Sequence, residues 1–279
     1  MSANTKAPKR KTPPGIPSYL SAPPARVLWL KPSGWTVLFL LAGAGIVEMV
    51  ARLHIASEAT LIPATEMVVQ AAGFLVNPEF YENAVIPTFV AVGVSFAISS
   101  IGGILLGYLI WRIGFARRAL DPYLTAYYAV PTFALYPVLI VLFGSGRFPI
   151  IVLAAIFSIV AVVMNAMNGY DSVPPIVSKL AKSLEVSEST YFLKFFLPYA
   201  LPYILIGLRL AFLYSMLSVL AAEFLLANDG LGWFVKNAYI RFNVADMYGG
   251  IVVILFVSII AERLITLAVH RLTWIGDLK

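Results

Sequence analysis

A chain of 279 residues that is 60% hydrophobic and 12% charged does not have the composition of a soluble globular domain, in which charged residues make up about a quarter of the total. It holds no cysteine and only two histidines, His54 and His270, which excludes disulfides and thiolate metal sites and leaves little for a histidine-based one. A net charge of +6 would suggest nucleic acid in a soluble protein, but here the cations gather at the ends of apolar runs, which is a topology signal and gives no ground for a nucleic-acid partner.

In chain order, residues 1–34 are proline-rich and carry Lys6, Lys9, Arg10, Lys11, Arg26 and Lys31 with no acid, which predicts a flexible, basic, cytoplasmic tail. The apolar run behind it starts too late for a signal peptide and no small-x-small cleavage site follows, so the tail is expected to stay. Trp35–Val50, extended at most to Leu53, is the first predicted span, short against the roughly 20 residues a bilayer needs, with Glu48 near its outer end. Residues 54–83 carry Glu58, Glu66, Glu79 and Glu82 but no Lys or Arg, and Leu61–Leu75 has helical spacing with Pro63 near its start. This predicts an external amphipathic helix.

Ala84–Trp111 is the second predicted span, and its Gly103-x-x-x-Gly107 permits close helix approach, although glycine is also simply common in spans. Arg112, Arg117 and Arg118 mark an inner loop. The third span, Tyr123–Phe143, contains Pro131 and Pro137, which demand a kink or a broken helix. An outer turn, Gly144–Arg147, precedes the fourth span, Phe148–Met167, which leaves Asn165 and Asn168 near its inner end. The fifth span, Tyr199–Ala227, holds Arg209 and Glu223; a turn at Asn228–Gly232 and an external segment, 233–246, lead to the sixth, Met247–Val269. With both termini inside, cytoplasmic segments hold 14 of the 20 cations and external segments hold Arg52, Arg147, Lys236 and Arg241. That asymmetry agrees with six spans.

Between the fourth and fifth spans lies a charged island, Lys179–Pro198. Leu180, Leu184 and Val186 are spaced to cover one side of a short helix, with Lys179, Lys182, Glu185 and Glu188 on the rest, and Pro174 and Pro175 stand where a helix begins. Such a helix either lies on the headgroups or touches a partner outside the membrane.

Ala181-Lys-Ser-Leu184, followed by Leu197-Pro198, resembles the cytoplasmic loop of binding-protein-dependent ABC importer permeases, with its Glu-Ala-Ala-x-x-x-Gly pattern and later Leu-Pro. Pro131, Ala134-Leu-Tyr-Pro137 and Phe143-Gly144, and Ala222-Glu-Phe224 with Gly230-Leu-Gly232, resemble the same family at corresponding places, so that the likeness covers about residues 61–275. Aligned on Ala181, the pattern's Glu, first Ala and Gly fall on Lys179, Leu180 and Glu185. The resemblance implies an all-α, six-span, type I importer permease fold, with a basic tail at 1–34, a permease domain at 35–279 and a coupling loop at about 171–198. It assigns ATPase coupling to Lys179, Ala181, Lys182, Ser183, Leu184, Glu185, Val186 and Ser187, with Ala181, Leu184 and Val186 buried in the ATPase groove. It implies two ATPase subunits that bind ATP and Mg, a second permease chain, and a periplasmic or lipid-anchored substrate-binding protein. The subgroup most resembled handles sulfonates, nitrate and related anions.

This chain itself shows no nucleotide loop of the Gly-x-x-x-x-Gly-Lys-Ser/Thr type and no acid–base cluster, so a membrane enzyme is not expected and no cofactor is expected in it. Tyr128, Thr132 and Tyr136 recur every four residues, a stripe that is either interfacial tyrosine with ordinary packing or the wall of a polar path. Asn165, Tyr214, Ser215 and Ser218 are the further candidates for that path. Arg209 is expected to snorkel or to brace the inner loop, and a Glu223–Arg263 pair is not expected because the two lie at opposite ends. An ion-driven secondary carrier is the alternative; such carriers often show repeats with paired broken helices, and no repeat is visible here.

Overall fold

The computed structural model of the chain describes residues 34–55, 57 and 60–276. The basic tail, Glu58 and Lys279 lie outside the described residues. What is described is helical throughout: α1 (Gly34–Arg52), α2 (Ala64–Leu75), α3 (Pro78–Phe80), α4 (Ile86–Arg112), α5 (Gly114–Ala126), α6 (Tyr136–Phe143), α7 (Arg147–Asp171), α8 (Pro175–Ser183), α9 (Glu188–Tyr191), α10 (Leu197–Leu226), α11 (Leu231–Ile240) and α12 (Val244–Gly276). Two compact units divide within α1, residues 1–46 and 47–279. In the first, Leu38, Phe39, Leu40, Leu41 and Ile46 are all exposed, as lipid-facing side chains would be.

In the second unit four helical stretches are long and apolar enough to cross a membrane, Pro78–Arg112, Arg147–Asp171, Phe192–Ile240 and Val244–Val269; a bent pair, Gly114–Ala129 with Thr132–Phe143, makes a fifth when its two halves are counted as one broken span. α1, with 19 residues, stands where the first span was expected and reaches about 28 Å at the usual rise.

α7 is the central helix, packed against both α4 and α10. Small residues let the three backbones approach. A Cβ added at Gly103 of α4 would lie 2.5 Å from Val162 Cβ, one at Gly207 of α10 would lie 2.8 Å from Asn165 Cβ, and one at Gly169 would lie 2.8 Å from Ala200 O. Without lipid-excluding hydrophobic drive between helices, this closeness of van der Waals packing is what holds a membrane bundle together. Phe74, Phe80 and Phe234, with ring centroids 5.0 Å apart in each pair, fasten α2 and α3 to α11.

The third span departs from the expectation at its start and meets it at its middle, where a kink or a break was expected. Helix α5 starts at Gly114, so the inner loop expected at Arg112–Arg118 is reduced to a hinge at Ile113 (φ −95°, ψ 84°). The span then breaks outright: Tyr127–Ala129 tightens into a 3₁₀ turn, Val130 is extended (φ −80°, ψ 127°), a second 3₁₀ turn covers Thr132–Leu135, and the two halves meet at 87°. The prolines divide the labour. Pro131 removes an N–H and forces Val130 out of the helical region, whereas Pro137 occupies the first turn of α6, where no donor is needed. The segment expected to be merely external at 233–246 contains helix α11.

Candidate functional site

Helix α8 is set between two sharp features. Pro174 (φ −60°, ψ 136°) delivers the chain extended into Pro175 at the first helical position. At the other end the Val186 N–H bonds Ala181 O at 3.0 Å and the Glu185 N–H bonds Lys182 O at 3.2 Å, the paired closure of a Schellman cap. The cap puts Glu185 at φ +51°, in the left-handed region usually given to glycine. The glycine of the resembled pattern falls on this residue. The helix therefore ends at Ser183, and the expected helical face of Leu180, Leu184 and Val186 is corrected, because Val186 lies beyond the cap and folds back toward Ala181.

Ala181 is also corrected. It is buried, 5% exposed, within its own chain rather than presented outward. With Ser178, Lys182 and Val186 it lines a cleft of about 680 Å³ whose other walls are Tyr108, Trp111 and Arg112 of α4 and Tyr191, Phe192 and Phe196 from the end of α9 onward. The Ser178 and Tyr191 hydroxyls, 2.7 Å apart, brace α8 from this side. The outward side is Ile176, Leu180 and Leu184, exposed at 68%, 54% and 63% and spaced by four, with Lys179, Ser183 and Glu185 exposed around them, while the exposed Lys182 borders the cleft. Sequence reasoning missed Ile176; counting back in fours from Leu184 through Leu180 would have found it. Ser183 bonds back to Lys179 O at 3.1 Å, and Ser187 accepts the Thr190 N–H at 3.3 Å, so that it caps the next helix.

The path candidates separate. Tyr128, Tyr214 and Phe157 form one aromatic cluster, with Tyr128–Tyr214 and Phe157–Tyr214 centroids each 5.4 Å apart. Thr132 and Tyr136 do not extend it as a stripe: the break at Pro131 cancels the four-residue period, and both are buried, Tyr136 among Val92, Leu139 and Val219 in the core. Ser215 and Ser218 are buried in α10, and neither hydroxyl has a hydrogen-bond partner among the described residues, while Asn165 donates to Ala161 O at 2.8 Å against Gly207.

The intramembrane charges find partners that the sequence did not reveal. Arg209 pairs with Glu262 of α12, and Thr266 donates to the same carboxylate at 2.9 Å, so that Arg209 ties α10 to α12. Glu223 is buried and fastens three segments. It accepts from Thr88 of α4 at 2.8 Å and from the Gly232 N–H at 3.0 Å, while Thr88 in turn accepts the Leu231 N–H at 2.9 Å. Thr88 carried no signal of its own, since a lone threonine in an apolar run reads as ordinary helix.

Residues 80–274 match the family model described as binding-protein-dependent transport system inner membrane component. The nitrate import permease protein NrtB of Synechocystis sp. is 26% identical over 229 residues, covering 79% of this chain and 83% of that protein. The bicarbonate transport system permease protein CmpB of Synechococcus elongatus is 30% identical over 187 residues, covering 67% and 66%. Among solved structures, a chain of the inward-facing MetNI methionine ABC transporter shares the fold at a TM-score of 0.58 and 18% identity, over 69% of this chain and 94% of that one.

Proposed function

The chain belongs to the binding-protein-dependent transport system inner membrane component family and is the permease subunit of an ABC importer, and from that premise we propose that it passes a small anion, driven by a separate ATPase that docks on α8. The observation that carries the docking is the ridge of Ile176, Leu180 and Leu184, three apolar side chains left exposed and ringed by polar ones on a helix held rigidly from behind. An apolar cluster with a polar rim is the usual make-up of a protein interface centre. Nitrate and bicarbonate in the relatives' names support an anion, inorganic or of the sulfonate kind. The family replaces the ion-driven carrier of the sequence reading.

In this reading two ATPase subunits hold the ATP and Mg, a second permease chain completes the path, and a substrate-binding protein delivers the solute. The basic segment 1–34 and the C-terminus lie in the cytoplasm, residues 35–279 form the permease domain in the inner membrane, and Tyr128 and Tyr214 flank the path. Replacing the ridge by Ile176→Asp with Leu180→Asp is the test: co-purification of the ATPase and solute-stimulated ATP hydrolysis should both be lost while the chain still inserts. Undiminished co-purification would refute the docking. Uptake of labelled nitrate, bicarbonate and a sulfonate by cells carrying the complete transporter decides the solute, and uptake of none of them removes the anion assignment.

A further inference from the structure

The cleft behind α8 has a composition that docking on the opposite face does not use. Five of its ten lining residues are aromatic, two are the cations Arg112 and Lys182, and none is acidic. Its floor is Phe196, stacked on Tyr170 with centroids 5.4 Å apart and flanked by Trp111 at 5.4 Å. One nearby acid is already engaged, since Asp171 pairs with Arg117 and accepts the Trp111 indole N–H at 2.9 Å, and the other, Glu185, is exposed beyond the cap of α8 and does not line the cleft. Among the described residues no carboxylate pairs with Arg112 or Lys182. Two cations left without counter-charge beside an aromatic floor make an anion site.

The size and surroundings narrow the anion. About 680 Å³ lies within the range of about 300–1,000 Å³ typical for sites that hold drug-sized molecules, far more than a bare inorganic anion fills. The segments that line the cleft also carry exposed apolar side chains close by in sequence: Leu105 and Leu109 of α4, at 59% and 54%, and Phe192 and Leu193, at 41% and 61%. A ligand with a phosphate-bearing head and an apolar tail matches both parts. We infer that this cleft binds the headgroup of an anionic phospholipid, with Arg112 and Lys182 on the phosphate and the acyl chains along Leu105, Leu109 and Leu193. Basic pockets at the cytoplasmic ends of membrane helices take such headgroups for the same reason. Because Ser178, Ala181 and Lys182 of α8 form one wall, a bound headgroup also braces α8 from the side opposite its exposed ridge.

Native mass spectrometry of the full-length chain, purified from detergent with phosphatidylglycerol or phosphatidylcholine added, tests this without solute or ATP. The wild type should retain phosphatidylglycerol over phosphatidylcholine by roughly thirtyfold, the order that two cations at an anionic headgroup supply. Arg112→Gln with Lys182→Gln should bring that ratio near one, each single variant should fall between, and Lys194→Gln, an exposed cation outside the cleft, should leave it unchanged. The single variants remain readable should the double variant fail to fold. Equal retention of both lipids by the wild type, an unchanged ratio in the Arg112 and Lys182 variants, or an equal loss in Lys194→Gln overturns the site. Full displacement of the lipid by inorganic phosphate overturns the lipid and leaves a small-anion pocket.

Discussion

Glu185 shows how one backbone angle carries information that side-chain pattern hides. A non-glycine residue in the left-handed region costs roughly 1–2 kcal/mol, and Glu185 sits there at φ +51° to close α8. Glu185→Gly should therefore stabilise the cap by about 1 kcal/mol, read as slower proteolytic nicking across residues 184–187; faster nicking would mean that the glutamate side chain, not the turn, holds the segment. In the sequence only the resembled pattern's glycine marks this position, and apolar spacing alone carries a helical face on through Val186. Thr88 is the opposite case, a residue with no pattern that turns out to hold Glu223 and the Leu231 N–H together. Thr88→Val leaves a buried N–H and a buried carboxylate each short of a partner, at a cost of about 1–3 kcal/mol. The unfolding midpoint in detergent should drop by several degrees, and Thr88→Ser, which keeps the hydroxyl, should restore most of it. A Val variant as stable as the wild type would make the latch incidental.

The elements divide into those whose period the sequence displayed and one whose period it concealed. α4 and α7 were legible because unbroken apolar runs of 20 residues or so allow only helix in lipid, and the Gly103–Gly107 spacing marked the face that α4 turns to α7. The third span was not legible in the same way. Two prolines announced a disturbance but not which of them breaks the helix and which begins one, and the stripe of Tyr128, Thr132 and Tyr136 assumed a continuous helix that Pro131 interrupts. Sequence period predicts a face only where the backbone keeps that period. The α4–α7 contact gives the corresponding experiment. Gly103→Ala places a methyl 2.5 Å from Val162 Cβ, whereas Gly93→Ala meets nothing within 4 Å. The first should destabilise, by about 1–3 kcal/mol if the helices shift to make room, and the second should be neutral or slightly stabilising, both measured as thermal midpoints. Equal midpoints would show that α4 is free to slide along α7.

Across the second unit as a whole, polar chemistry gathers at two ends. At one, the Arg117–Asp171 pair and the Trp111–Asp171 bond join the end of α4, the start of α5 and the end of α7, next to α8 with its lysines. At the other, Arg147 meets Asp229 at 2.7 Å, Gln70 meets Asp246 at 2.6 Å, and the Glu223 latch closes the turn between α10 and α11. The first end carries Arg112, Arg117, Arg118, Lys179, Lys182 and Lys194. The second mixes Arg52, Arg147, Lys236 and Arg241 with acids, including Glu48, Glu79, Glu82, Asp229 and Asp246, and several of its charges are neutralised by one another. Short loops dense in Lys and Arg are retained on the cytoplasmic side, while acids weigh little in that choice, so the α8 end should face the cytoplasm. A reporter active only in the cytoplasm and fused after Ser187 should be active, and one fused after Asn77, between α2 and α3, should be silent. The two positions lie at opposite ends of the bundle, so a single inversion of the chain must exchange both results together. The exchanged pair would place α8 outside the cell membrane, beyond reach of any cytoplasmic ATPase, and both results alike would mean that an odd number of crossings does not separate the two positions.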